Sequence, residues 1–336
     1  MTARPVFIIA EAGVNHNGDV ALAEKLVDAA KAAGADAVKF QTFHSDALAS
    51  DAAALAPYQA AAGESGGQKA MLKRLELDED AHRRLQARAR GLGIEFLSTP
   101  FDPESADLLE RLGMPLFKIP SGEITNRGLI EHVARKAKPI LLSTGMSDLS
   151  EVRRAIGWIQ ALSKAPLTVL HCVTEYPAPV SQVNLAAMAT MRQALNLPVG
   201  YSDHTLGTEV AIAAAALGAT VIEKHLTLDR ALPGPDHAAS LEPAEFTAMV
   251  RQIRAVASAL GDGVKRPAPC EEKNRAAARR SLVAARDLPA GHVLSRADLS
   301  AKRPAVGLSP ADIDAVLGKA LKRPLRRDEA LTEACL

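Results

Sequence analysis

Short apolar runs of β-like composition alternate along the chain with longer alanine-rich stretches of helical period. The β-like runs are VFIIAEA (6–12), AVKFQTF (37–43), IEFLSTP (94–100), LFKIPSG (116–122), PILLSTG (139–145), LTVLHCV (167–173), PVGYSDH (198–204) and TVIEKHL (220–226). Between them lie patterns such as ALAEKLVDAAKAAG and SADLLERLG, several ending in the glycine expected just past a helix C-terminus. Eight β-then-α units within about 260 residues predict an α/β fold of the (β/α)8 TIM-barrel type. A doubly wound open sheet would use fewer strands and usually a glycine-rich first turn, and the chain has no GxGxxG and no P-loop.

The second connection, roughly 44–78, is longer than the rest and contains ESGGQ, which predicts a flap or lid rather than a plain turn. EPAEFTAMVRQIRAVASALG closes the barrel, and GDGVKRPAPCEEKNRAAARRS reads as a linker rich in Gly, Pro and charge. The expected division is a barrel over 1–268, a linker over 269–280 and a small β-rich unit over 281–336. That last unit is marginal as an independent fold, so it is expected to dock onto a partner.

Composition narrows the class. The chain has 336 residues, 48% hydrophobic, which supports a sizeable core and makes a folded enzyme the natural expectation. Only 3% are aromatic, which argues against stacking platforms for single-stranded nucleic acid. Lys plus Arg number 40 against 39 Asp plus Glu, so no net field recruits nucleic acid or a membrane. The N-terminal apolar run is too short for a secretory signal or a span. Cys172, Cys270 and Cys335 are odd in number and form no CxxC pair, which fits a reduced, cytoplasmic protein.

Chemistry in a barrel collects at the C-terminal strand ends. In order these carry Glu11; Lys39 and Gln41; Ser98 and Thr99; Lys118, Ser121 and Glu123; Ser143 and Thr144; His171 and Thr174; Ser202, Asp203 and His204; Glu223, Lys224 and His225. A polar residue at every end predicts a polar ligand. Lys39 and Lys118 follow apolar residues inside strands, where a long cation is normally excluded. They either snorkel outward through the helix layer or face the mouth and bind an anion, with hydroxyls of Thr99, Ser121, Ser143 and Ser202 suited to phosphate plus carboxylate. A Schiff-base lysine is a third reading. His204 and His225 end neighbouring strands and suit a divalent cation such as Mn²⁺ or Mg²⁺, whereas His82, His132 and His171 read as structural. Glu11, in an apolar strand, needs a partner such as a lysine or a substrate hydroxyl. Asn17 or Asp19 is placed to cap the helix after strand one. KRP occurs at 265–267, 302–304 and 322–324, and spacing alone does not single one out.

IAEAGVNHNG, DAVKFQTF, FLSTPFD, FKIPSGE, LLSTGM, GYSDHTLG, IEKHLTLD and GPDHAASLEP together resemble the bacterial sialic acid synthase family. ARRSLVA and AKRPAVGL resemble that family's C-terminal antifreeze-like (SAF) domain, so the likeness spans essentially the whole chain. The resemblance implies a metal-dependent barrel that condenses phosphoenolpyruvate with an N-acetylated mannose-type aldose, giving a nine-carbon 2-keto acid and phosphate. It implies His204 and His225 as metal ligands, and Lys39, Thr99, Lys118, Ser121, Ser143 and Ser202 as phosphoenolpyruvate contacts. Glu11, Gln41, Glu123, Tyr176 and Asp236 match positions around the sugar and the reacting centre. Glu11, Glu123 and His225 are the implied catalytic groups. Thr174 stands where some members have a substrate-contacting Asn. Arg303 resembles the arginine that reaches the sugar's N-acetyl group from the partner subunit's SAF domain, which implies a domain-swapped homodimer. N-acetylmannosamine is the first sugar expected and the 2,4-diacetamido-6-deoxy analogue of a legionaminic acid synthase the second. A non-catalytic carbohydrate- or ice-binding protein and a Schiff-base aldolase are the remaining alternatives.

Overall fold

The eight apolar runs become eight parallel strands in the computed structural model, which describes residues 6–336. They are β1 (Phe7–Gly13), β2 (Ala37–Thr42), β3 (Glu95–Pro100), β4 (Phe117–Ile119), β5 (Ile140–Ser143), β6 (Leu167–Cys172), β7 (Val199–Asp203) and β8 (Val221–His225). Their order in the sheet is β3-β2-β1-β8-β7-β6-β5-β4. Because β1 pairs with both β2 and β8, the sheet curls on itself, and β3 and β4 meet side by side without a paired register among the described residues. The architecture is the expected α/β TIM barrel, closed but for one ladder. Strands covered on both faces need apolar residues on both, which is why the runs are nearly continuous in Ile, Val, Leu and Ala.

The helices form where the sequence supplies both caps and an apolar stripe. In α1 (Val20–Ala32), Asp19 accepts from the Ala21 amide at 2.8 Å, and Ala23, Leu26, Val27 and Ala30 bury one face against the sheet. Three short helices, α2 (Ser45–Leu48), α3 (Pro57–Ala61) and α4 (Gln68–Leu75), occupy the long second connection. Met71 and Leu75 of α4 pack with Val14 and Phe43, so this segment is a helical insert anchored by its own apolar cluster. The outer layer continues with α5 (Glu79–Leu92), α6 (Pro103–Arg111), α7 (Arg127–Arg135), α8 (Leu149–Leu162), α9 (Ala187–Leu195), α10 (Glu209–Ala216) and α11 (Pro243–Ala259). Side-chain caps from Asp78, Asp102 and Asp148 hold α5, α6 and α8. Each is worth about 1 kcal/mol.

The chain divides into two compact units, residues 1–262 and 263–336. Within the second, the stretch read as a linker is helical: α12 spans Glu272–Ala278, whose EEKNRAAA sequence is rich in good helix formers. Then β9 (Ser281–Ala284) pairs antiparallel with β10 (Leu299–Lys302), and single bridges such as Leu288–Leu325 and Val293–Ala320 extend the β character. One turn of helix, α13 (Ile313–Val316), completes it. Its core is separate, built from Leu282, Leu294, Leu321, Leu325 and Leu331 among others.

Candidate active site

A cavity of about 310 Å³ opens at the C-terminal ends of the strands. Strand register explains what lines it. Glu11 on β1 is level with Lys39 on β2 and with His225 on β8. Gln41 is level with Thr99, and Ser202 with Glu223. Side chains alternate along each strand, so inward positions recur every second residue. Glu223 and His225 face the cavity, and Lys224 between them does not.

The residues expected at the site gather around this one space. Glu11, Lys39, Gln41, Thr99, Lys118, Ser121, Glu123, Ser143, Thr174, Tyr176, Ser202, His204, His225 and Asp236 all line it. Both lysines point inward, which removes the snorkelling alternative. Ser98, Thr144, His171, Asp203 and Lys224 do not line it. Ser98 bonds Thr42 at 2.6 Å, the Thr144 hydroxyl donates to the Leu170 carbonyl at 3.0 Å, and His171 Nε2 lies 2.7 Å from the Val183 carbonyl. His82 bridges Thr42 and the Asp78 carbonyl, and His132 meets Asp107 at 2.7 Å, so the three histidines read as structural are so engaged. Arg303 belongs to the second unit, where its Nε donates to the Ala278 carbonyl at 2.8 Å.

At the floor, two ammonium groups alternate with two carboxylates. Lys39 contacts Glu11, lies 3.7 Å from Glu223 and donates to Thr99 Oγ1 at 2.8 Å. Lys118 donates to Glu223 Oε1 at 3.1 Å, and Ser202 donates to the same oxygen at 3.0 Å. Burial pushes the Glu11 carboxyl up to about 7, with Lys39 pulling the other way and Glu223 adding to the rise. Glu223 is buried too, but Lys118 and Lys39 overcome that penalty and hold it at about 2. The same burial supports opposite protonation tendencies, because Glu223 lies against two lysines and accepts from Ser202 whereas Glu11 contacts one lysine.

Glu223 is the residue that sequence reasoning noted at a strand end yet did not assign to the site. Its signal was its place two residues before His225 on the same strand, which puts both on one face. Tyr58, Gln59, Gln68, Met71 and Leu72 also line the cavity, from the helical insert in the second connection. No periodicity within that insert pointed to them.

The histidine pair sits on one wall. The His204 and His225 rings are 5.4 Å apart between centroids, and the Tyr176 ring lies 4.2 Å from His204 and 5.6 Å from His225. A carbonyl can only accept, so His204 Nδ1, 2.7 Å from the Val173 oxygen, carries the proton and leaves Nε2 with a lone pair. His225 Nδ1 is buried without a hydrogen-bond partner, 3.7 Å from an Asp236 oxygen. Burial, His204 and Lys39 keep His225 well below its ordinary value, so it is neutral at neutral pH. For His204 burial works downward, but nearby Cys172 and the Val173 carbonyl raise it on balance. Burial pushes Asp236 up to about 6. Among the described residues no group of three or more His, Cys, Asp or Glu is arranged as a metal cage. Two imidazoles with free lone pairs nevertheless fit a divalent cation whose remaining positions are left to water and substrate.

Polar atoms without partners point to where a ligand belongs. Ser143 Oγ and Thr174 Oγ1 are buried with none. Gly145, just past β5, donates its amide to Ser121 Oγ at 2.9 Å, and a Cβ there would come within 2.1 Å of Thr174 Oγ1. Glycine is what lets this hydroxyl-lined wall close up. Glu123, raised by burial, takes a hydrogen bond from Asn126 at 2.7 Å.

A barrel mouth that carries two buried ammonium groups beside buried hydroxyls without partners offers the donors that a small anion needs. That defines the class: a (β/α)8-barrel enzyme acting on an anionic substrate beside a polar co-substrate. Residues 26–265 match the NeuB family and residues 279–336 the SAF domain. The chain belongs to the NeuB family, and it is a phosphoenolpyruvate-dependent synthase that forms a carbon–carbon bond to a sugar. It is 47% identical to the N,N'-diacetyllegionaminic acid synthase of Campylobacter jejuni over 98% of this chain and 100% of that one. It is 50% identical to the N,N'-diacetyllegionaminic acid synthase of Legionella pneumophila over 95% of this chain and 91% of that one. Among solved structures it resembles the N-acetylneuraminic acid synthetase of Leptospira borgpetersenii, crystallised with citrate. That match has 35% identity and a TM-score of 0.72, covering 81% of this chain and 90% of that one. Among the described residues no helix is long and apolar enough to cross a membrane.

Proposed function

We propose that this chain is an N,N'-diacetyllegionaminic acid synthase, condensing phosphoenolpyruvate with 2,4-diacetamido-2,4,6-trideoxymannose. The observation that carries it is the 47–50% identity, along nearly the whole chain, to two synthases of that name. Identity to the sialic acid synthetase of known structure is 35%. Of the two sugars expected from the sequence, the second is therefore preferred to the first, N-acetylmannosamine.

In this reading Lys39 and Lys118 hold the phosphate and carboxylate of phosphoenolpyruvate, helped by Thr99, Ser121, Ser143, Thr174 and Ser202. The substrate anion takes over part of the charge that Glu11 and Glu223 otherwise balance. His204 and His225 would hold a divalent cation, Mn²⁺ or Mg²⁺, which supplies Lewis-acid polarisation of a carbonyl oxygen. Gln41, Tyr176 and Asp236 orient the open-chain sugar so that its aldehyde carbon faces carbon 3 of phosphoenolpyruvate. The new carbon–carbon bond leaves positive charge at carbon 2, water adds there, and the tetrahedral adduct breaks its carbon–oxygen bond to release phosphate. Glu11 and Glu123, both raised by burial, are the groups that give and take the protons of the new hydroxyl and the attacking water. Lining two bound substrates up in one cavity replaces a bimolecular encounter and supplies much of the acceleration. Arg303 approaches the sugar from the partner subunit of a homodimer, and the protein works in the cytoplasm.

The test supplies the purified enzyme with phosphoenolpyruvate, Mn²⁺ and each sugar separately, with and without chelator, and follows phosphate release. The expected result is a higher kcat/KM for the diacetamido-trideoxy sugar and no turnover in chelator. A preference for N-acetylmannosamine would return the assignment to sialic acid synthesis.

A further inference from the structure

Behind the ends of β7 and β8 lies a buried ion pair that the reaction does not use. Asp203 and Lys224 are register partners across the two strands, expose no side-chain surface and face away from the cavity. Lys224 Nζ is 2.8 Å from Asp203 Oδ2 and donates to the Thr205 carbonyl at 2.5 Å. Asp203 Oδ1 accepts from the Thr205 amide at 3.0 Å, the Thr205 hydroxyl at 2.8 Å and the Tyr201 hydroxyl at 3.3 Å.

These contacts tie the residue before His204 and the residue after it to one ammonium group. Lys224 in turn sits between Glu223 and His225, the two β8 residues that face the cavity. One pair therefore couples the turn that carries one imidazole to the strand that carries the other. Beyond this, His204 is held by its carbonyl, which accepts from the Ala178 amide at 2.9 Å, and by Nδ1 on the Val173 carbonyl.

We propose that Asp203 and Lys224 are positioning residues that set the height and direction of His204 relative to His225. Two fully desolvated charges contribute little net stability compared with apolar residues of similar volume, so stability alone is a weak reason for the pair. Replacing an outer-shell partner of a metal ligand typically costs about 10–100-fold in metal affinity, and this pair holds the residues on both sides of His204. The inference rests on the reading of His204 and His225 as cation ligands.

The test is calorimetric titration of Mn²⁺ into the metal-stripped full-length chain, as wild type, Asp203→Asn, and Asp203→Asn with Lys224→Met. Thermal unfolding and steady-state kinetics are measured alongside. The double variant removes both charges and keeps an oxygen for Thr205 and Tyr201. It is expected to stay folded, to bind Mn²⁺ about 10–100-fold more weakly, and to lower kcat while leaving the KM for phosphoenolpyruvate near wild type. Should it fail to fold, Lys224→Met alone, which leaves Asp203 its hydrogen bonds from Thr205 and Tyr201, is added and read the same way. A folded variant with wild-type Mn²⁺ affinity overturns the positioning role, and so does failure of every variant to fold, which would assign the pair to stability. A wild-type chain that binds no Mn²⁺ overturns the cation reading itself, a result separate from the other two.

Discussion

Replacing Glu223 by glutamine tests the charge arrangement at the barrel floor. The amide keeps the shape and one acceptor for Ser202 and Lys118, which now lie 3.0 and 3.1 Å from Oε1. What it removes is a charge. Lys39 retains Glu11, but Lys118, almost wholly buried, is paired with Glu223. Breaking a buried pair from one side costs about 3–5 kcal/mol, because the ammonium left behind is neither hydrated nor neutralised. For a unit of this size that corresponds to a Tm lower by on the order of 10 °C. Phosphoenolpyruvate should restore the missing negative charge, so its stabilising shift should be larger in Glu223→Gln than in wild type, even though turnover falls. The assay is thermal unfolding of the full chain over a phosphoenolpyruvate series. Acid provides a second arm. The Glu223 carboxyl is held at about 2, below its ordinary 4.5, so its stabilisation is complete above about 4.5 and is lost as pH falls through 2. The gap between wild type and variant should therefore narrow on acidification. A variant that unfolds with wild type at pH 7, or gains no more from phosphoenolpyruvate, refutes the reasoning.

Further outcomes follow from the same geometry. His225→Ala should abolish tight Mn²⁺ binding and turnover while leaving the fold intact by circular dichroism; undiminished metal content in the variant would remove His225 from the site. Mn²⁺ affinity of wild type should fall on acidification, beginning already above the ordinary imidazole value of about 6.5, since His204, the imidazole raised on balance, must be neutral to bind; calorimetry across pH reads this directly. Asp298 accepts from Arg286 at 2.7 Å, His292 at 2.9 Å and the Ser295 hydroxyl at 2.7 Å, and those bonds hold its carboxyl well below the usual range. Asp298→Ala should destabilise the second unit by about 2–4 kcal/mol at neutral pH, with the difference shrinking as pH falls below about 4; urea unfolding at pH 7 and pH 3 compares the two. Arg303→Ala should raise the KM for the sugar about tenfold or more and leave that for phosphoenolpyruvate unchanged, in initial-rate measurements with each substrate varied.

How much of this was legible beforehand differs by level. The strands were, because parallel strands buried on both faces leave continuous apolar runs such as FIIA and ILL that helices of period 3.6 do not imitate. The cavity's list of residues was largely legible too, since a barrel brings strand ends together whatever the loops do. Inward and outward were not. Because both faces of each strand are buried, hydrophobicity does not distinguish the cavity side from the helix side. Of Glu223, Lys224 and His225 only the histidine had a role from sequence, and the sides taken by the other two stayed open until pairing with β1 and β7 fixed the pleat. Then Glu223 became the partner of two lysines and Lys224 the partner of Asp203. The three short helices of the second connection were likewise hidden, because their contribution depends on packing against Val14 and Phe43 rather than on any period of their own. The sequence by itself determined the barrel, the polar rim and the histidine pair, all of which follow from local composition and strand order. Only the tertiary structure decided which charge meets which, because an ion pair between residues 105 positions apart, such as Lys118 and Glu223, is set by register and burial. Neither is encoded within one strand.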